Sequence, residues 1–429
     1  MKNFIKFLKK DIKIINSYFL LAVIFIILIS IGYSSYALFS FTKTSTNVIE
    51  ATVGKIEKKP NAPVLASNMI PVYYDETAET WKKADLANPN NTYKWYDYNN
   101  GMWANAVTVT SSSRSKYLNA SIGTVISMND ITTMWVWIPR FNAVTPSNYN
   151  GGTKEKPNAI NVTFVKPNET AIDAFTFGNK ELSGFWYGKF EIGGTLASSC
   201  TNETCNVSNI VVKPNVSSLR NQKASSFFYA SRSMEQAGNS FGFVKDEVDT
   251  HMSKNNEWGA VAYLTQSIYG RCTSSTTCTE VGINNNENYI TGYGAPAGSD
   301  TSVTNGKYNT TLGKNASTTG TIYGIYDMSG GSWEYVMGVY NKTISNSGFS
   351  SLPDTKYYNN YTGSSYTGHA LTETEMWYSD NAYFVNSSNP WFIRGGNYGS
   401  GTLAGVFYFN IYNGNSGSNT SSRLVISNE

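Results

Sequence analysis

The chain has 429 residues, of which 14% are aromatic and only 15% charged, a balance opposite to that of a disordered polypeptide and long enough to bury a large core. Its net charge is +3, and Lys2, Lys6, Lys9, Lys10 and Lys13 stand against Asp11 alone in the first thirteen residues. The remainder is near neutral and carries no electrostatic footprint for nucleic acid.

Residues 1–16 form a basic leader, and Ser17 to Thr42 is an uncharged, mostly apolar run. A helix of about 20 such residues crosses a bilayer. Lysines on its N-terminal side orient that end to the cytoplasm and all that follows to the outside. Ser35 and Ala37 also fit a small-residue cleavage site, so a membrane anchor competes with a signal peptide cut after Ala37, which would leave the protein secreted. Residues 43–61 then read as a stalk.

Residues 62–128 are expected to form a small aromatic β-rich module. Trp95, Tyr96, Tyr98 and Trp103 flank a turn at Asn99, Asn100 and Gly101, a hairpin signal. Those aromatics suit a module core or a carbohydrate platform. From Ser111 to Met128 the sequence reads as a connection.

The main domain is expected over 129–429. Its first strand runs through MWVWIPRF until Pro139 stops it, and a second through GFWYGKFEIGG, with Trp186, Gly188, Phe190 and Ile192 on one parity. Helices are expected in SSFFYASRSMEQAG and in MSKNNEWGAVAYLTQSIYG, where Ser253 can cap with Asn256 or Glu257 in the first turn. The short spacings of Cys200 with Cys205 and of Cys272 with Cys278 predict two local disulfides in an oxidising compartment, with zinc chelation as the weaker alternative. An Asn-, Gly- and Thr-rich excursion fills 279–320. Ile322, Gly324 and Tyr326 suggest a short strand before the tight turn at Gly330 and Gly331.

GIYDMSGGSWEYV resembles the D-M-x-G-N-x-W-E-W signature of the formylglycine-generating-enzyme-like domain, a variety of the C-type lectin fold. The match falls on Asp327, Met328, Gly330, Trp333 and Glu334, with Gly331 where that family has Asn and Tyr335 where it has the second Trp. In the same order, KFEIG, NNEWGAVAY, IRGGNY (Arg394, Gly395, Gly396) and SSRLVIS (Arg423) resemble further pieces of it. The resemblance implies an α+β fold with long irregular loops. The family's oxidases use a cysteine pair downstream of R-G-G, and its iron enzymes use several histidines. No cysteine follows Arg394, and His251 and His369 are isolated among polar residues and expected to face solvent, so the chain reads as non-enzymatic and without cofactor. A structural calcium ion suits the fold, but no acidic run has the spacing of a calcium loop.

The terminal stretch from Trp391 to Ser427 begins and ends on core-like residues, yet from Asn397 to Ser422 it holds no Lys, Arg, Asp, Glu, Gln, His, Met or Trp. It resembles the variable region of diversity-generating retroelement target proteins, at about 391–426. There, randomised adenines turn Asn codons into Tyr, Ser, Gly, Thr, Ile, Leu, Val, Phe or His, never into Lys, Glu, Gln, Met or Trp. The resemblance implies variable contacts at Tyr398, Ser400, Thr402, Leu403, Tyr408, Asn410, Ile411, Tyr412, Asn413, Gly417, Asn419 and Thr420, with Gly405, Phe407 and Phe409 as fixed scaffold. The function expected is a surface-displayed protein binding a protein or glycan on another cell, phage or host surface. A non-diversified adhesin is the alternative, and a formylglycine-generating-type oxidase the remaining one.

Overall fold

The computed structural model describes residues 59–428 apart from 89–91, 197–198, 301, 303 and 304. The expected leader, membrane segment and most of the stalk lie outside the described residues. No helix among those described is long and apolar enough to cross a membrane.

Alternating and apolar runs become most of the strands, joined by polar ones such as VDTHM and TSS. The first six in one sheet are β1 (Ile70–Asp75), β2 (Thr80–Lys83), β3 (Asn105–Val109), β4 (Ile131–Pro139), β5 (Gly184–Gly188) and β6 (Val248–Met252). Five more build a second sheet: β7 (Trp333–Tyr340), β8 (Asn359–Tyr361), β9 (Trp391–Arg394), β10 (Phe409–Tyr412) and β11 (Thr420–Ser422). The last, β12 (Leu424–Asn428), returns to the first sheet, whose order is β6-β12-β5-β4-β3-β1-β2 with every pair antiparallel. In the second sheet the order is β8-β7-β9-β10, and β11 lies parallel to β7 beside Trp333, Glu334 and Tyr335. Among the described residues four α-helices join them: α1 (Ser111–Leu118), α2 (Ala224–Ser233), α3 (Asn255–Thr265) and the single turn α4 (Thr311–Asn315). Short two-stranded hairpins complete a mixed α/β architecture rich in loops.

Residues 62–128 are not a separate module. β3 pairs with β4 from Asn105 opposite Val136 to Val109 opposite Ile131, so this segment widens the main sheet. Its aromatics are core: Trp95, Tyr98 and Trp103 are buried, Trp95 stacks on Trp186 at 6.3 Å, and the Tyr98 hydroxyl donates to the Trp137 carbonyl at 2.7 Å. Trp95, Tyr98 and Trp103 therefore offer no free ring to a carbohydrate platform, while Tyr96 is half-buried. The expected turn is present, with Gly101 left-handed at φ 65°. Ser111 to Met128 contains α1 besides connecting loop.

β4 ends at Pro139 as its sequence requires. β5 stops at Gly188, short of the expected run, and Lys189 to Ile192 continue as buried irregular chain. Both parities of this segment are buried, because the sheet is covered on each face. Ile322 to Tyr326 form no strand. The Ile322 and Gly324 carbonyls each accept from the buried Lys189 ammonium at 2.7 Å, which takes the acceptors a strand would need. Of the two expected helices, α2 packs on β6 and α3 on β7. The cap of α3 falls at Lys254, whose N–H donates to Glu257 at 2.8 Å, while the Ser253 hydroxyl meets that of Tyr187 at 2.8 Å. Both expected disulfides are formed.

Candidate functional site

The terminal stretch is held in a frame assembled from the separated sequence pieces. Arg423 donates from Nε to Glu334 at 2.9 Å, from Nη2 to the same carboxylate, and from Nη1 to the Gly188 carbonyl at 2.9 Å, with both partners fully buried. Burial pushes the Glu334 carboxyl up to about 7 against the opposing pull of Arg423. Asp327, held at φ 61°, accepts from the Gly292 N–H and from Asn284 Nδ2, each at 2.8 Å. Glu191 accepts from the Ser332 N–H at 2.7 Å. A Cβ on Gly331 would lie 2.4 Å from Glu191 Oε1, which accounts for glycine where the resembling signature has Asn. Met328 is fully buried, and Trp333 sits at the margin, its N–H donating to the Asn419 carbonyl at 2.9 Å. Arg394 has no carboxylate among its hydrogen-bond partners; it donates to Asn255 Oδ1 and to the His369 and Ala370 carbonyls. Gly395 and Gly396, both left-handed, turn the chain out of β9 into the stretch.

Within the stretch the backbone, above all, is pinned to the rest of the domain. The Leu403 carbonyl accepts from the Asn381 N–H at 3.0 Å, that of Val406 from Trp258 Nε1 at 2.8 Å, and that of Asn415 from the Tyr335 hydroxyl at 2.7 Å. The Asn413, Gly417 and Asn419 carbonyls accept from the N–H groups of Asn346, Asn221 and Trp333 at 3.1, 3.0 and 2.9 Å. Tyr398 donates its N–H to the Gly331 carbonyl at 2.8 Å. Phe407, Phe409 and Gly405 are buried, as expected of scaffold. Gly405 is required by close approach, since a Cβ there would sit 2.1 Å from Asp380 Oδ2. Asp380 in turn accepts from the Phe407 N–H at 2.9 Å, and burial raises its carboxyl far above the ordinary range.

Thr402 and Leu403 are exposed, and Tyr398, Ser400, Asn410, Ile411, Tyr412, Asn413, Gly417 and Asn419 are half-buried. Tyr408 and Thr420 depart from expectation. Tyr408 is buried and its hydroxyl accepts from Asn410 Nδ2 at 3.0 Å; Thr420 is buried in β11 opposite Trp333. Neither presents a side chain to a partner. Residues outside the stretch also line the surface: Tyr289 meets Tyr398 edge-on at 4.9 Å, and the Arg220 guanidinium stacks on Tyr289 at 3.8 Å. Sequence pattern gave no signal for Tyr289, Arg220 or Asp380, because their roles arise only from tertiary proximity.

The two histidines are buried, contrary to expectation. His251 lies 3.1 Å from Asp249 and 3.0 Å from Glu257, and His369 Nε2 lies 2.7 Å from Asp173. Asp249 and Glu257, close to His251 in sequence, flank its ring in space, whereas Asp173 reaches His369 from far along the chain. Among the described residues no three His, Cys, Asp or Glu side chains are grouped to hold a metal ion.

No family model matches the chain, and no curated protein does. Among solved structures, Treponema denticola variable protein 1 is similar at 13% identity and a TM-score of 0.30, over 68% of this chain and 95% of that one. PvdO from Pseudomonas aeruginosa is similar at 8% identity and a TM-score of 0.29, over 69% and 94%. The Major Tropism Determinant M1 variant gives 15% identity and a TM-score of 0.26, over 85% and 74%. Each of these likenesses is coarse.

Proposed function

We propose that this is a ligand-binding protein whose terminal stretch is diversified by a retroelement, carried on a C-type lectin-like domain of the formylglycine-generating-enzyme subtype. The observation that carries the reading is the division of labour within 397–422. The rest of the domain grips carbonyls and N–H groups, and all the proposed variable positions except Tyr408 and Thr420 reach the surface. A loop held by its backbone tolerates side-chain replacement, and the Tyr, Ser, Gly and Asn palette suits adaptable contact. The lysine-flanked segment at 17–42 supplies display on the outer face of a membrane, with the N-terminus inside. The partner is a protein or glycan, and the reading needs no cofactor.

A library randomised at Tyr398, Ser400, Thr402, Leu403, Asn410, Ile411, Tyr412, Asn413, Gly417 and Asn419 tests it. Most members should fold and differ in the partners they select; general loss of folding would show these side chains to be structural. At the gene, a near-copy of the DNA for residues 391–426, differing almost only at adenines, should lie beside a reverse transcriptase.

A further inference from the structure

The segment at 220–224 abuts residues 414–418 of the terminal stretch. Besides the Asn221 contact to Gly417, the Ala224 N–H donates to the Gly414 carbonyl at 3.1 Å, and Arg220 Nη1 donates to the Ser418 carbonyl. Arg220 is half-buried with its guanidinium plane fixed on Tyr289, and Lys223 is exposed with its stem against Gly348. No carboxylate among the described residues forms an ion pair with either cation. Glu203, on the neighbouring 199–206 loop, is engaged by Arg232 at 3.5 Å. Beside Lys223 opens a cleft of about 300 Å³, lined by Ser199, Thr201, Asn221, Ser225 and Ser416 and containing no acidic residue. The facing stretch 397–422 carries no charge of its own.

We propose that Arg220 and Lys223 form a constant cationic rim beside the diversified face, and that the partner this rim admits is a protein segment bearing Asp or Glu side chains. The proposal rests on the ligand-binding reading and narrows it. Variable side chains select among partners, whereas the rim sets the charge that every partner shares. Exposed cations act mainly on encounter and are screened by salt over about 8 Å at physiological ionic strength. The guanidinium, held on Tyr289 with Nη1 on the Ser418 carbonyl and Nε buried, presents a positioned charge to a carboxylate.

The test uses the immobilised full chain and a bead-displayed library of random synthetic 12-residue peptides. The unaltered chain should enrich peptides containing Asp or Glu, with association rates that fall severalfold from low to high salt. Arg220→Gln with Lys223→Gln should abolish that acidic bias while the chain keeps a cooperative thermal transition; Arg220→Lys with Lys223→Arg, which keeps both charges, should retain the bias. Equal acidic content in peptides selected by the unaltered and Gln-substituted chains overturns the rim, yet leaves ligand binding standing. Enrichment of no peptide over bare beads overturns the acidic protein partner, while the library randomised at the variable positions tests the ligand-binding reading separately. Capture of a sulfated oligosaccharide in place of acidic peptides would assign the rim to a glycan and overturn the protein partner.

Discussion

Leu403 and Phe407 lie in one polar stretch and meet opposite environments. Leu403 leaves 49% of its surface in solvent, whereas Phe407 is fully buried with its ring 5.0 Å from Trp377. Leu403→Ala should therefore move stability by no more than about 0.5 kcal/mol. Phe407→Ala should cost about 3–5 kcal/mol, and urea midpoints of the two variants measure the contrast. The alternation of Gly405, Phe407 and Phe409 was legible because their residue types fit a packed interior. Tyr408 was not, since a tyrosine serves equally as contact or core, and only its bond to Asn410 decides. His251 was likewise illegible. Burial pulls its imidazole down, but Glu257 and Asp249 outweigh burial and hold it above its ordinary value, while the Asp249 and Glu257 carboxyls are lowered. The histidine's contribution is complete below its unfolded pKa of about 6.5 and is lost as pH rises through the raised folded value. The carboxylates' contribution is present above about 4.5 and is lost in acid. This cluster should therefore stabilise most between about pH 4.5 and 6.5, and His251→Gln should flatten the alkaline decline in urea midpoints recorded across pH.

Among the elements, β11 shows how polar sequence can still be frame. Thr420, Ser421 and Ser422 are fully buried and lie parallel to Trp333, Glu334 and Tyr335. Sequence reading began the frame at Arg423, because three small hydroxyl residues resemble the loop before them. The next residue locks the strand: Arg423→Ala strands the Glu334 carboxylate without its cation and should cost about 3–5 kcal/mol by chemical denaturation. Replacing both partners, as Arg423→Met with Glu334→Leu, should recover much of that loss, since an apolar pair needs no mutual neutralisation. Failure of the double variant to recover would show that the Gly188 contact matters more than the ion pair. By contrast the start of α3 was legible to within a residue, its glutamate three positions beyond the cap being a local signal, although the helix ends at Thr265 and not at the expected Gly270. The absent strand at 322–326 depended on Lys189, far away in sequence, and no local pattern could announce it.

At the scale of the whole molecule, the described chain from Lys59 onward is one compact unit. The aromatic content of 62–128 foretold a core but not whose, because strand pairing across β3 and β4 is set by registers invisible in either strand alone. A fragment beginning at residue 129 should accordingly fail to fold independently, since β4 would lose its partner and Trp186 its stacking neighbour Trp95. Limited proteolysis and circular dichroism of that fragment measure this; a cooperatively folding fragment would restore the separate module.

β12 begins two residues after β11 and lies between β5 and β6, joining them through Ile426 opposite Trp186 and Thr250 opposite Ile426. A frameshift or premature stop anywhere in 397–422 would thus remove a core strand as well as a surface loop. Under the proposed diversification, translation must pass through the codons for 397–422 before the sheet can close, so a version that loses its reading frame there lacks β12 and should fail to fold.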